Sequence, residues 1–110
     1  MSDNYKNVLD RYDALISKCD RFERKGKTMP YTSANGHMFS LFNKAGELGI
    51  RFSEKVKKEY IEKYNTTEFR SYGAVMRGYI LITDELWSDD KQMLSLLNES
   101  YDYVMTLEPK

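Results

Sequence analysis

The sequence of 110 residues contains few of the side chains from which disulfides and metal sites are built. Its one cysteine, Cys19, cannot form an internal disulfide, which is typical of a protein in a reducing compartment. Its one histidine, His37, has no second histidine and no pair of cysteines that would complete a zinc site. No apolar run approaches the roughly 18 residues that a membrane-spanning helix needs. We therefore predict a protein without a metal, a cofactor or a membrane partner.

An excess of either charge is also lacking, since 17 Lys and Arg residues balance 17 Asp and Glu residues. A protein whose main partner is nucleic acid usually carries a clear positive excess, because it must neutralise phosphates. The balance therefore argues against nucleic acid as the main partner and leaves a local basic patch open.

Targeting signals are lacking at the amino terminus, where Met1-Ser2-Asp3-Asn4 offers no basic segment ahead of an apolar stretch. What the sequence does contain is 41% hydrophobic and 14% aromatic residues, the profile of a folded globular protein. A chain of this length can bury one core without metals or disulfides. With no repeat, linker or low-complexity tract in view, we predict a single cytoplasmic domain over residues 1–110.

Residues 35–65 give the strongest structural signal. The apolar run 38–42 predicts a buried strand, and apolar residues alternate over 48–52 as in a strand with one buried face. Gly46, in the connection between them, suits the left-handed position of a hairpin loop. A helix then follows between Ser53, which can cap it, and Asn65, which ends it.

Two further helices are predicted, over residues 3–22 and 89–107, the second capped by Ser88. Their apolar residues recur at spacings of three and four, namely Tyr5, Val8, Leu9, Tyr12, Leu15, Ile16, Cys19 and Phe22 in the first and Met93, Leu94, Leu97, Tyr101, Val104 and Met105 in the last.

The remaining strands are predicted from shorter signals. Residues 68–72 and the β-rich run 79–82 read as strands. Residues 28–34 contain Pro30, which lacks a backbone donor, so they form an edge strand or an extended loop ahead of the turn signal Asn35-Gly36. We therefore predict an α+β fold of two layers, helix–three strands–helix–two strands–helix, with an antiparallel sheet packed against the helices.

Several runs resemble the amino-terminal domain of the TfoX/Sxy family. They are Gly36-His37-Met38-Phe39, Leu48-Gly49-Ile50-Arg51-Phe52 and the run from Phe69 through Tyr72-Gly73, followed by Met76, Tyr79 and a closing helix. The resemblance implies a two-layer arrangement with the element order given above. It also implies a regulatory role exercised with other proteins, because the full-length members regulate the transcription of competence genes.

The chain departs from the family pattern at Met29-Pro30-Tyr31, where the family usually has Met-Phe-Gly-Gly. This makes it similar to short stand-alone members rather than to the full-length regulators, which carry a second domain. The shared motifs are mainly aromatic and glycine positions, so the resemblance implies no catalytic or binding residue.

Candidate catalytic residues are few. Cys19 and His37 are the types that a thiol enzyme would pair, but Cys19 lies on an apolar stripe, where cysteine usually packs as a small hydrophobe. His37 begins a strand and reads as a strand-end or surface residue. The acidic residues near the last helix, Asp84, Glu85, Asp89 and Asp90, lack the spacing and the glycine of a calcium loop and suit capping and solvation. We predict no catalytic, cofactor-binding or metal-ligating residue.

Basic residues form two groups, one with Arg21, Arg24, Lys25 and Lys27 and one with Lys55, Lys57, Lys58 and Lys63. If both groups faced the same side, they would form a patch able to hold phosphates. Glu54, Glu59 and Glu62 offset the second group and favour ordinary solvated pairs on a helix.

Nine tyrosines are an unusual number for this length. We expect Tyr31, Tyr72 and Tyr79 in the sheet and Tyr101 and Tyr103 on the last helix. Tyrosine is enriched at interfaces, but packing at a sheet edge with a solvated hydroxyl would also explain it, and both interpretations stay open. The predicted edge strand near these tyrosines is where we expect dimerisation or strand addition by a partner.

Three hypotheses follow, and we favour a non-enzymatic regulatory or protein-interaction module with a protein partner or self-association and no small-molecule substrate. The alternative is a nucleic-acid-associated module that uses Arg21, Arg24, Lys25, Lys27, Lys55 and Lys58. The third hypothesis is a small enzyme that uses Cys19 and His37.

Overall fold

The computed structural model describes residues 2–26, 30–71 and 73–109. Over these residues the chain forms four helices and five strands. In chain order they are α1 (Ser2–Ser17), β1 (Tyr31–Ala34), β2 (His37–Phe42), β3 (Leu48–Arg51), α2 (Glu54–Lys63), β4 (Glu68–Ser71), β5 (Ala74–Leu81), α3 (Asp84–Trp87) and α4 (Asp90–Met105). This order confirms the predicted α+β fold, with the short α3 as one addition before the last helix.

The strands form one antiparallel sheet in the order β1-β2-β3-β5-β4, so β1 and β4 are its edges. All four helices pack on one side, where residues such as Tyr12, Val56, Leu86 and Leu97 join the main core. A second apolar cluster lies on the opposite side, which we call the outer face. Its members all come from strands and are Tyr31, Met38, Leu41, Phe69, Met76, Tyr79 and Leu81.

The two turns predicted around β2 are confirmed. Asn35 and Gly36 both have positive φ, 56° and 80°, as a two-residue hairpin turn with the twist of the strands requires. In the next turn Gly46 has φ 81°, and Asn43 Oδ1 accepts from the backbone N–H groups of Ala45 (3.0 Å) and Glu47 (2.9 Å). These local bonds fix the register of β1, β2 and β3.

The middle helix also begins and ends where the sequence predicts. Ser53 Oγ accepts from the backbone N–H of Val56 at 3.2 Å and caps α2. Asn65 follows the helix in the left-handed conformation, with φ 53°.

The first helix is shorter than predicted, since it ends at Ser17 rather than at residue 22. Backbone bonds from Lys18 to Leu15 (3.1 Å) and from Cys19 to Ile16 (2.9 Å) close it with tight i to i−3 turns. Phe22 still reaches the core, where it packs edge-to-face on Phe39 with ring centroids 5.0 Å apart. The apolar residues keep the helical spacing beyond Ser17 because Phe22, which follows the turn, packs in the same core as the residues of α1.

The last helix begins differently from the prediction. Asp89 is its N-cap and accepts from the backbone N–H of Gln92 at 3.1 Å, so the predicted cap Ser88 is wrong. Ser88 instead ends α3, which Thr83 caps. The short helix forms because it buries Leu86 and Trp87 in the core, a tertiary contact that local spacing does not reveal.

The buried face of α4 is also rotated from the predicted one. Leu96 and Ser100 are buried, whereas Met105 is 48% exposed. The Ser100 hydroxyl lies against the backbone carbonyls of Phe39 and Arg51 on two neighbouring strands. A polar residue is therefore buried where the helix contacts the sheet backbone, and hydrophobic periodicity could not predict it.

Two irregularities set which residues reach the outer face. The register of β1 and β2 pairs Thr32 with Ser40 and Ser33 with Met38, which leaves Phe39 as a bulge. Met76 and Tyr79 also share the outer face although three positions separate them, because Gly78 lies between them with φ 83°. Regular alternation would have sent one residue of such a pair to the helices.

Candidate interaction surface

The outer face is an apolar surface built without a helix. Leu41, Phe69 and Tyr79 are buried there, although in the described part of the chain only strand residues pack around them. Tyr31, Met38, Met76 and Leu81 surround them and are half-buried.

Contacts between strands that are not neighbours in the sheet help to bury this cluster. Phe69 on the edge strand β4 lies against Gly49 on β3, and a Cβ at Gly49 would come within 2.7 Å of Phe69 Cε2. The amide of Asn43 donates to the backbone carbonyl of Arg70 at 3.1 Å and ties the β2–β3 turn to β4. The Phe69 ring therefore lies across the outer face, over Gly49 of β3.

The rim of the outer face has the chemistry of a contact surface. Met38 and Met76 contribute flexible, polarisable thioethers that can adapt to a partner, and Tyr31 contributes an aromatic ring. The Tyr79 hydroxyl donates to the backbone carbonyl of Met38 at 2.9 Å and holds the two sides of the face together. Methionine and tyrosine side chains of this kind are enriched where proteins meet.

Of the two alternatives for residues 28–34, an edge strand or an extended loop, the structure shows the edge strand β1, while Thr28 and Met29 lie outside the described residues. The edge of β1 that faces away from β2 is already paired at its start, since Lys25 and Tyr31 exchange backbone hydrogen bonds of 2.7 and 2.9 Å. The Lys25 ammonium also donates to Ser33 Oγ at 3.3 Å. These contacts leave a short edge for strand addition and make the outer face the larger contact surface.

Most of the tyrosines have structural partners. Tyr12 shares a hydrogen bond of 2.7 Å with Ser40, Tyr60 donates to Glu99 at 2.6 Å and Tyr64 accepts from Gln92 at 3.1 Å. Burial raises the pKa of Tyr12, Tyr60 and Tyr79, and the Glu99 carboxylate raises that of Tyr60 further. Tyr31 and Tyr79 lie in the sheet as predicted, whereas Tyr72 lies outside the described residues.

The tyrosines of α4 also pack against neighbours. Tyr101 stacks on Phe22 at 5.6 Å, and Arg21 lies 4.1 Å above its ring. Arg51 lies 5.8 Å from the ring centroid of Tyr103. The tyrosine excess is thus mainly structural, and Tyr31 is the member on the rim of the outer face.

Both arginines of the first basic group are paired with carboxylates. Arg21 contacts the Asp102 carboxylate, which raises the pKa of the guanidinium, and also donates to Asn98 at 3.1 Å. Arg24 donates two bonds to the carboxylate of Asp13, at 2.9 and 3.2 Å. Lys27, the last member of the predicted patch, lies outside the described residues.

The second basic group lies elsewhere. Lys57 is buried with its ammonium 3.8 Å from the Glu68 carboxylate, and Lys63 packs on the rings of Tyr60 and Tyr64. Lys55 and Lys58 are exposed on the same helix.

The two basic groups lie on different flanks of α4. The segment that carries Arg21 packs through Phe22 on Tyr101, whereas α2 reaches α4 through the bond from Tyr60 to Glu99. Positions 99 and 101 of a helix point about 200° apart, because successive residues turn by about 100°. The structure therefore does not bring the predicted patch together.

Cys19 and His37 are not assembled into a catalytic pair. Cys19 Sγ lies 3.8 Å from the carbonyl of Leu15, and burial followed by the nearby Asp20 raises the pKa of its thiol, which disfavours the thiolate. His37 is at a strand end as predicted but is buried rather than on the surface, with Nε2 bonded to the carbonyl of Glu108 at 2.7 Å. Its Nδ1 has no hydrogen-bond partner in the described part of the chain.

Asn35, two residues before His37, also bonds to the end of α4. The Asn35 amide donates to the carbonyls of Val104 (3.0 Å) and Leu107 (2.8 Å) and closes the end of α4. The β1–β2 turn therefore anchors the last helix, which gives both Asn35 and His37 a structural role.

The acidic residues near α4 act as caps and surface partners. Asp89 caps the helix, and Asp90 lies 3.4 Å from Arg11 and 3.5 Å from Lys18. Within residues 2–26, 30–71 and 73–109, no cluster of three or more His, Cys, Asp or Glu side chains could hold a metal ion. None of the helices in those segments is both long and apolar enough to cross a membrane.

Comparison of the chain with models of protein families and with curated proteins found no match.

Proposed function

We propose that this protein is a non-enzymatic regulatory module of the TfoX amino-terminal type, which acts in the cytoplasm through contacts with other proteins. The observation that carries the proposal is the outer face, whose apolar cluster is covered by no helix of the described chain. An apolar surface of this kind is a common feature of protein interaction sites. The short, partly paired edge of β1 adds a smaller contact next to it.

The first partner that we propose for the outer face is a second copy of the chain. The formal net charge is zero, so two copies do not repel each other strongly. A two-fold contact would bring the same surface of both copies together, with the Met38 and Met76 thioethers of each packing on the other. Self-association would bury the partly exposed rim without a second protein.

Light scattering behind size exclusion, over a wide range of protein concentration, tests the proposal. We expect the wild type to form a dimer that depends little on salt, because the contact is apolar. Met76→Glu places a charge in the contact and is expected to weaken dimerisation at least tenfold.

Met105→Glu is the matched control, because this methionine is 48% exposed on α4, away from the outer face. It should leave the dimer unchanged. A wild type that stays monomeric at every concentration, or a dimer that Met76→Glu leaves intact, would remove self-association through the outer face.

A further inference from the structure

A cleft of about 390 Å³ lies between the β2–β3 turn and the β4–β5 turn. The hydrogen bond from the Asn43 amide to the backbone carbonyl of Arg70 holds the β2–β3 turn next to the end of β4. The cleft has the size of a site for a small molecule. It is separate from the rim of the outer face and goes beyond the function proposed above.

The wall of the cleft is rigid at Asn43. Its amide nitrogen donates to the Glu47 carboxylate at 3.2 Å as well as to Arg70, and its carbonyl oxygen accepts from Ala45 and Glu47. Because every polar atom of this side chain is engaged, the turn offers a preorganised wall rather than a mobile loop.

The unexplained group in the cleft is Ser71. This residue is only 7% exposed, and its hydroxyl has no hydrogen-bond partner in the described residues. Phe69 and Ser71 are the two buried positions of β4, so Ser71 lies on the same face of the strand as Phe69, next to the end of the outer face. Buried hydroxyls in proteins nearly always have a partner, and a bound ligand would supply the acceptor that the described residues do not.

The charge of the cleft indicates what that acceptor is. Lys44 and Arg70 line it, both are exposed, and neither forms an ion pair among the described residues. Three other arginines of the chain do have carboxylate partners, namely Arg11, Arg21 and Arg24. With the one carboxylate of Glu47, the lining keeps one net positive charge.

We propose that this cleft binds a small oxyanion, such as the phosphate or carboxylate group of a small molecule. Arg70 and Lys44 neutralise the anion, and the Ser71 hydroxyl donates a hydrogen bond to one of its oxygens. The sequence predicts no small-molecule substrate, and a bound oxyanion goes beyond that prediction.

An NMR titration of the backbone amides with inorganic phosphate at low ionic strength tests the proposal, with acetate titrated in parallel. We expect saturable shifts at residues 43–47 and 70–74, and the tighter of the two ions identifies the oxyanion class. Arg70→Gln should weaken binding about tenfold, because it removes a charged hydrogen bond. Ser71→Ala should weaken it several-fold while the shifts stay at the same residues.

Arg77→Gln is the matched control, since this exposed arginine lies on β5 and lines a different cleft, with Arg51 and Tyr103. It should leave phosphate binding unchanged. Shifts that do not saturate, or an equal loss in Arg77→Gln, would overturn the proposal and leave an adventitious ion only. Arg70→Lys keeps the charge, and its amide spectrum shows whether it is folded. Retained phosphate affinity supports the site, and loss of all saturable binding in folded Arg70→Lys counts against it.

Discussion

At Gly49 a single added methyl group should disturb the packing of the outer face. Its position on β3 lies under the Phe69 ring, and a Cβ there would approach Cε2 to 2.7 Å. Gly49→Ala is therefore expected to lower the free energy of unfolding by about 1–3 kcal/mol, as overpacking of a core does. Urea denaturation measures the loss.

The same substitution in a Phe69→Leu background supplies the control. The smaller side chain makes room, so the cost of Gly49→Ala should fall well below its value in the wild type. An equal cost in both backgrounds would mean that Phe69 does not rest on Gly49.

Tyr12 links the first helix to the sheet through a chain of buried hydroxyls. Its oxygen lies 2.7 Å from Ser40 Oγ, which lies 2.5 Å from Thr32 Oγ1, and all three residues are fully buried. Tyr12→Phe removes one of these hydrogen bonds and should lower the free energy of unfolding by about 1 kcal/mol at neutral pH.

The free energy of unfolding of the wild type should fall more steeply with rising pH than that of Tyr12→Phe. Burial raises the pKa of Tyr12 in the fold, while tyrosine in the unfolded chain titrates near pH 10. Above about pH 10 the unfolded state therefore binds fewer protons than the native state, and stability falls as pH rises, by up to about 1.4 kcal/mol per pH unit for one such group. Urea denaturation from pH 8 to 11 checks the slope, and equal slopes for wild type and Tyr12→Phe would contradict the assignment.

At the scale of the elements, the start of α4 gives a direct comparison of two neighbouring residues. Asp89 accepts from the backbone N–H of Gln92, whereas Ser88 donates its hydroxyl to the carbonyl of Glu85 in the preceding turn. Asp89→Ala should therefore cost about 1 kcal/mol of stability, as the loss of an N-cap does.

Ser88→Ala is the control for this prediction. The serine is exposed and its bond lies outside α4, so its loss should cost a few tenths of a kcal/mol. Thermal unfolding of the two variants distinguishes them. A larger loss of stability from Ser88→Ala than from Asp89→Ala would mean that Ser88 caps α4, as the sequence pattern predicts.

The elements that the sequence predicts well are those whose ends are set by local chemistry. The turn at Asn35-Gly36 needs positive φ at two positions, and the helix after Ser53 needs a side-chain acceptor, so the residue types alone indicate both. The end of α1 and the presence of α3 depend instead on contacts with the distant core, made by Phe22 and Trp87. Spacing alone cannot distinguish a helix that continues from a turn that delivers the next aromatic residue.

The candidate sites were less predictable for the same reason. The outer face requires Phe69 to cross over Gly49, and no local pattern connects the two residues. Ser71 reads in the sequence as an ordinary strand residue, and only burial without a partner draws attention to it. The basic residues gave a visible pattern, but Asp13 and Asp102, which lie far from them in sequence, neutralise Arg24 and Arg21.

For the whole molecule, the two-layer arrangement explains why one side of the sheet is complete and the other is not. All four helices cover one side, and Asn35 anchors the end of α4 to the β1–β2 turn. On the outer face no helix of the described chain packs, and the Phe69 ring of β4 lies over Gly49. The rim residues Tyr31, Met38, Met76 and Leu81 are partly exposed, and we expect them to contact another chain.

An intermolecular NOE experiment on a mixture of methyl-labelled and unlabelled protein tests self-association through the outer face most directly. Met38 and Met76 lie on the rim of the outer face, while Met105 lies exposed on α4. We expect intermolecular NOEs at the methyl groups of Met38 and Met76 and none at Met105. Intermolecular NOEs confined to Met105, or none at any methyl group at high protein concentration, would contradict self-association through the outer face.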